Sequence, residues 1–309
     1  MPKPVLLDTD MGVDDAVAAA LALSSPKLSV NGIVAVGGNV PLDQAARNIV
    51  RLLAGMAVEN WPVVGRGLEP AAASPGGAAH VHGSDGFGEI MLPVPAGFVP
   101  EDYREVYTRL IGQHGGSLTI VAVGPLTNLA AIQRECPGLL ARAGQIVIMG
   151  GAVWCPGNIT PHAEFNFHQD PAAAAEILAA GLPVTLVPLD VTSQVAIDES
   201  HAAHLACSGT RAGELLARMI RWPMERAVDG RQGQFLVHDA LAVGVLLWPD
   251  LFLRSRLEIA VEVRGPQAGR SRPVIGKGSA HKVAVVISVN VPAFLENMLE
   301  TLCQERFVV

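Results

Sequence analysis

The chain has 309 residues, half of them hydrophobic and 17% charged, with a net charge of -7. That much apolar surface can fill a packed interior, which excludes a disordered or fibrous chain. The acidic balance speaks against a nucleic-acid backbone or an anionic membrane as partner, since both demand a basic surface, and favours a small neutral or cationic ligand.

In chain order, short aliphatic or β-branched runs alternate with longer helical patterns. VLLD near residue 5 precedes a helix over 14–24, and VNGIVAVGG near 30 precedes one over 41–56. LTIVAVG at 118 leads to a helix from about Thr127, IVIMGG at 146 to a loop and a helix from Pro171, and VTLVPL follows at 184. This rhythm predicts an α/β fold: an open, mainly parallel twisted sheet flanked by helices, with right-handed crossovers. From about 200 the pattern is helical through Val228, with a further helix over about 237–247. Short strands near 257–263 and 283–288 and a final helix complete the additional C-terminal elements, and 1–309 is expected to form a single domain. The stretch 264–278, rich in Gly, Pro and basic residues, reads as a solvated hairpin loop. His201 and His204 have metal-like spacing but sit in an Ala-rich helix without a third ligand, and read as solvated.

Cys136, Cys155, Cys207 and Cys303 offer no short pairing, so neither a zinc ribbon nor a CxxC redox pair is available. Free thiols, a first segment that reaches acids before any signal-like apolar run, and no run of the ~18 apolar residues of a membrane span make a cytoplasmic protein the expectation.

In open parallel sheets the ligand crevice lies beyond the carboxyl ends of the strands. DTD, GGN, GPLTN and GGAVWCPGN follow four predicted strands, so these segments are expected to meet on one rim. The strongest signal is DTDMGVDDA at 8–16, four carboxylates within eight residues at a strand-to-helix junction. Like charges this close raise one another's pKa unless a cation or a helix N-terminus offsets them. With no His or Cys in the segment, a hard divalent cation with oxygen ligands is the natural partner. Asp14 as a helix cap among solvated loop acids is the plainer alternative. Gly12 permits a tight turn, and Val5, Leu6 and Leu7 make the preceding strand a buried, rigid base. An EF-hand is not matched. Asp8 and Asp10 imitate the DxD start of haloacid-dehalogenase phosphatases, but Gly12 stands where that family wants Thr or Val, so a magnesium-dependent phosphatase is an outside alternative.

DTDMGVDDA, VGGN at 36–39, HGSDGFG at 82–88, VGPLTNLA at 123–130, IMGGA at 148–152, GN at 157–158, AEFN at 163–166 and HDA at 238–240 together resemble the inosine-uridine preferring nucleoside hydrolase family, in the family's order. The resemblance implies a calcium ion, Ca2+, held by Asp10, Asp15, Asp239 and the main-chain carbonyl of Thr127. That set leaves room for water and two sugar hydroxyls within calcium's ~6–8 oxygens, and the ion would fix the ribose diol and acidify its bound water. It further implies Asp10 as the base for that water, Asp14 as the holder of the 2'-hydroxyl, and Asn39, Met149, Asn158, Glu164 and Asn166 as ribose contacts. His238 is implied as the acid that protonates the departing base, with His82, on a Gly-rich loop, as a second candidate. Asp8 is expected behind these acids.

The implied activity is hydrolysis of the N-glycosidic bond of a ribonucleoside in purine or pyrimidine salvage, by an enzyme that is expected to be a homo-oligomer, dimer or tetramer. A nucleoside-binding protein without chemistry is the alternative. One departure bears on the base. The segment RWPMERAVDGRQGQF before His238 has no Tyr where many family members supply one, leaving Arg226, Gln232, Trp154 and Trp222 as candidate base contacts.

Overall fold

A computed structural model describes residues 1–71, 77–227, 231–274 and 281–304. Thirteen strands are found among them. In the first half these are β1 (Lys3–Thr9), β2 (Leu28–Ala35), β3 (Val63–Arg66), β4 (Glu101–Asp102), β5 (Thr119–Ala122) and β6 (Gln145–Met149). In the second half they are β7 (Val184–Val187), β8 (Ala196–Asp198), β9 (Gln234–Leu236), β10 (Phe252–Leu257), β11 (Ile259–Val261), β12 (Ser271–Pro273) and β13 (Val283–Val289). Nine form one sheet in the order β10-β13-β7-β6-β5-β1-β2-β3-β4, parallel throughout except for the β10/β13 edge. The expected α/β architecture is therefore present, with one antiparallel strand closing its C-terminal edge.

Alternation along the central strands builds two cores. Val5, Leu7, Ile33, Ala35, Val121 and Val147 point to one face, where the helices Val13–Ser24, Leu42–Gly55, Arg211–Met219, His238–Leu247 and Val291–Leu302 pack. Leu6, Val34, Ile120, Ala122, Ile146 and Ile148 point to the other, under the helices Tyr103–His114, Thr127–Glu135 and Pro171–Ala179. Strands covered on both faces must be apolar at every position, which is why these runs are continuous rather than alternating.

The sequence reading passes over β3, β4 and the helix Tyr103–His114, although buried Tyr103, Val106, Tyr107, Leu110 and Ile111 trace a helical stripe. The helical stretch after 199 is three helices, Glu199–Ala206, Arg211–Met219 and Arg221–Glu225, and Val228 lies outside the described residues. The expected hairpin at 264 is β11/β12, antiparallel and joined by a turn exposed over 262–266, while 275–278 lie outside the described residues. His201 is bonded to Asp198 as part of a helix cap and His204 is exposed. The four cysteines are unpaired, and no described helix is long and apolar enough to cross a membrane.

Candidate functional site

The chain runs from β1 outward through β2, β3 and β4, then returns to place β5 on the other side of β1. The carboxyl ends of β1 and β5 thus flank the point where the order reverses, which is where crevices form in open parallel sheets. A pocket opens there, lined among others by Asp14, Asn39, His82, Met149, Asn158, Glu164, Asn166, His238 and Asp239. Four strand ends do meet on one rim.

The turn after β1 is strained. Met11, fully buried, sits at φ +42, a conformation that side chains other than glycine rarely adopt. Its N–H donates to Thr9 Oγ1 at 3.1 Å, and Thr9 Oγ1 donates to Asp15 Oδ1. Asp15 Oδ2 accepts from the N–H of Gly12 and from Asn39 Nδ2, both at 2.9 Å. Asp10 Oδ2 accepts the N–H of Asn39 at 2.7 Å. Gly38 lets that loop close, since a Cβ there would fall 2.1 Å from Asp10 Oδ2.

Asp10 faces Asp15, and Asp14 faces Asp239. Burial, and then the neighbouring carboxylates, push Asp10, Asp14 and Asp239 well above the usual carboxylate range. Burial also raises Asp15, against the bonds it accepts. Oxygens of Asp14, Asp15 and Asp239 lie within 4.8 Å of one another. Two oxygens bound to one calcium at ~2.4 Å can be at most ~5 Å apart, so the spacing suits such an ion. Asp10 Oδ1 and Asp14 Oδ1 are buried with no hydrogen-bond donor, which is the deficit a cation would fill. The donor set, all oxygen, fits a hard divalent ion.

The three converging acids thus include Asp14, whereas the sequence resemblance points to Asp10, Asp15 and Asp239. Asp10 and Asp15, both fully buried, lie behind the pocket wall rather than on it. Thr127 opens the helix after β5, and its hydroxyl donates to Asp170 Oδ2 at 2.8 Å.

Both histidines are neutral near pH 7. His82 is held to about 3 by burial and then by the charges of His80 and His238. Its Nδ1 accepts the N–H of Val13 at 3.1 Å, so the proton of the neutral ring is on Nε2, 3.8 Å from Asp14 Oδ1. Burial and then the charge of Arg231 hold His238 to about 4. It heads the helix His238–Leu247, with Nδ1 2.8 Å from Thr192 Oγ1.

Glu164 caps the short helix Phe165–Gln169, accepting from the N–H groups of Asn166 at 2.7 Å and Phe167 at 3.1 Å. It also accepts from Gly151 at 2.9 Å, whose φ of +79 requires glycine. Capping and lining the pocket are thus one arrangement. Asn166 Nδ2 donates to the carbonyl of Val123 at 2.8 Å and lies 3.6 Å from the sulfur of buried Met149. Exposed Asn158 accepts the N–H of Phe165 at 2.9 Å.

Asp8 is fully buried under the sheet, accepting from Tyr107 at 2.7 Å and Asn128 at 2.9 Å, and is pushed by burial to about 7. Tyr107 and Asn128 hold it on the side of the second core, apart from the acids that meet at the pocket, so the phosphatase alternative has no nucleophile there. The candidate base contacts are also displaced. Arg226 stacks on Trp222 at 3.2 Å, Trp154 is exposed away from the pocket, and Gln232 does not line it. Arg231, Gln234, Phe235 and Phe165 do. The antiparallel pairing of β8 with β9 carries Arg231, Gln234 and Phe235 there, with only their closeness in sequence to His238 to hint at it, whereas Phe165 arrives at the start of the short helix Phe165–Gln169.

A family model described as inosine-uridine preferring nucleoside hydrolase matches residues 5–296. A pyrimidine-specific ribonucleoside hydrolase of Citrobacter koseri is 35% identical over 269 residues, 86% of each chain. An uncharacterized protein of Schizosaccharomyces pombe is 36% identical over 266 residues, 84% of this chain and 85% of its own. Among solved structures, a purine-preferring ribonucleoside hydrolase from Gardnerella vaginalis superposes with a TM-score of 0.91 at 31% identity, covering 97% of this chain and 98% of its own. These relatives differ from one another in base preference.

Proposed function

The chain belongs to the inosine-uridine preferring nucleoside hydrolase family and is an enzyme of that class, and from this we propose a calcium-dependent hydrolysis of ribonucleosides to free base and ribose. The observation that carries the metal reading is the convergence of the buried carboxylates of Asp14, Asp15 and Asp239, with Asp14 Oδ1 and the nearby Asp10 Oδ1 lacking a donor. Asp10, Asp15, Asp239 and the Thr127 carbonyl would hold the ion, with Asp14 beside it. When bound, calcium would anchor the ribose 2'- and 3'-hydroxyls and make water more acidic.

The side chains do the rest. Asn39, Met149, Asn158, Glu164 and Asn166, all on the pocket wall, hold the sugar, and Asp14 accepts from its 2'-hydroxyl. Asp10 takes a proton from water as the oxygen adds to C1', while the C1'–N bond breaks and its electron pair leaves with the base. The acids beneath the ribose stabilise the positive charge that develops on it. His238, its Nδ1 held at Thr192 Oγ1, takes up a proton and passes it to the departing base; His82, turned towards Asp14, is the second candidate.

A reducing-sugar assay on a nucleoside panel, with and without chelator, tests this reading. Ribose release abolished by chelation and restored by calcium supports it. Binding without ribose release would leave a nucleoside-binding protein, and chelator-resistant release would remove the metal. The proposed setting is cytoplasmic nucleoside salvage by a homo-oligomer, whose copy number light scattering would read.

A further inference from the structure

The pocket walls differ in charge. Asp14, Asp239 and Glu164 are the pocket's acids, whereas among the described lining residues Arg231 alone bears a permanent positive charge. Arg231 is half-buried, and one of its terminal nitrogens donates to the carbonyl of Ser193 at 3.2 Å. The next residue back, Thr192, holds His238. Two adjacent residues at the end of the short helix Leu189–Thr192 therefore anchor the guanidinium and the imidazole side by side. A guanidinium has five N–H donors, so the bond to Ser193 leaves most of the fork for a ligand. Gln234 and Phe235 stand on the same wall, supplying an amide and an apolar ring face.

Resting on the nucleoside hydrolase reading above, we propose that Arg231 is the specificity-determining residue of this site, binding the oxo edge of the departing base and selecting oxo-substituted bases over amino-substituted ones. The chemistry follows from what the base becomes. When the C1'–N bond breaks, its electron pair stays on the base nitrogen and delocalises over the ring. In a uracil-type or 6-oxopurine base, carbonyl oxygens share or border that charge. An arginine fork suits such acceptors and pairs bidentately with an O6/N7 edge. The exocyclic amino groups of adenine and cytosine present donors at the corresponding position, where they meet the donors of Arg231. The guanidinium gives up no proton, so proton delivery remains with the histidine.

The test compares kcat/KM of the wild-type enzyme, Arg231→Gln and Arg231→Lys on uridine, cytidine, inosine and adenosine, with thermal melting as the fold control. The wild type is expected to favour uridine over cytidine and inosine over adenosine. Arg231→Gln is expected to lose about 10- to 100-fold on the two oxo substrates, the loss of one charge-assisted contact, and far less on the amino pair, so that the preference collapses. Arg231→Lys, which keeps the charge, is expected to retain part of the preference. Equal losses on all four substrates would reduce Arg231 to a brace for Ser193 and overturn the proposal, as would an unchanged preference. If Arg231→Gln melts early, the ratio between oxo and amino substrates in the Lys variant decides by the same criterion. A wild-type enzyme that released no ribose from any of the four would instead sink the hydrolase reading.

Discussion

Gly38→Ala tests the placement of Asp10 without altering any acid. A methyl at Gly38 would fall 2.1 Å from Asp10 Oδ2, 2.8 Å from its Cγ and 2.9 Å from its Cβ, whereas ordinary contact begins near 3.4 Å. The carboxylate must therefore move by more than an ångström, or the loop must lift and release the Asn39 N–H that Asp10 accepts at 2.7 Å. Gly38 does not occupy the left-handed region, so backbone strain adds nothing. A shift of ~1 Å in a reacting group costs about 10²-fold in rate, and that loss in kcat is the expected outcome. Ribose release measures it, calorimetric calcium titration reports any weakening of the metal, and the thermal midpoint guards against unfolding. Gly112→Ala is the control: it lies in the helix Tyr103–His114 with nothing within 4 Å of its would-be Cβ, and should gain about 0.5–1 kcal/mol with normal activity. A Gly38→Ala enzyme with kcat within about threefold of wild type would refute both the crowding and the role of Asp10.

Asp239→Asn removes one charge from the converging acids and should raise the calcium needed for half-maximal ribose release at least about tenfold; unchanged calcium dependence would exclude Asp239 as a ligand. His238→Ala should slow nucleosides by about 10²- to 10⁴-fold and p-nitrophenyl riboside much less, because that leaving group needs no proton. Equal losses on both would remove the acid role. Asp198 caps the helix Glu199–Ala206 by accepting from Ser200 at 3.0 Å and His201 at 3.2 Å, so Asp198→Ala should cost about 1 kcal/mol in urea unfolding at pH 7. Its bonds, with Ser200 first, hold the carboxyl at about 2 against an ordinary 3.8, so the contribution is complete above 3.8 and fades as pH falls through about 2. Equal midpoints at pH 7 would refute the cap.

How legible each part was follows from where its information lies. β1, β5, β6 and β7 could be read because both faces are covered and each carries a run of consecutive apolar residues. β3 and β4, four residues and two, are too short to show a period, and their places are set by pairing with β2 and with each other and by packing against the helices Leu42–Gly55 and Tyr103–His114. The acids at 8–15 announce themselves because they crowd in sequence. Asp239 does not, and only the resemblance joined it to them; the packing of the helix Val13–Ser24 against His238–Leu247 is what brings it there. Glu164 reads as a cap and as a candidate sugar contact, and it caps the helix Phe165–Gln169 while lining the pocket. Which arginine lines the pocket is not legible, because Arg226 and Arg231 look alike in a string of letters. The β8/β9 ladder and a stacking contact with Trp222 decide which one faces the pocket.

The site is also electrostatically ordered along the bond that breaks. Four carboxylates buried with no permanent cation paired to them among the described residues are costly, and a rigid sheet edge packed on both faces can hold them where a solvated loop would let them separate. In the proposed reaction that enforced concentration of negative charge is the driving force for taking up a divalent ion and faces the sugar, where positive charge develops. Arg231 lines the same pocket, and in the proposal it meets the negative charge that leaves with the base. In the proposed reaction one standing field therefore favours both halves of the separating charge, and it costs no reorganisation when the bond breaks, because Thr9, Gly12 and Asn39 already hold Asp15, Asn39 holds Asp10 and Ser193 holds Arg231.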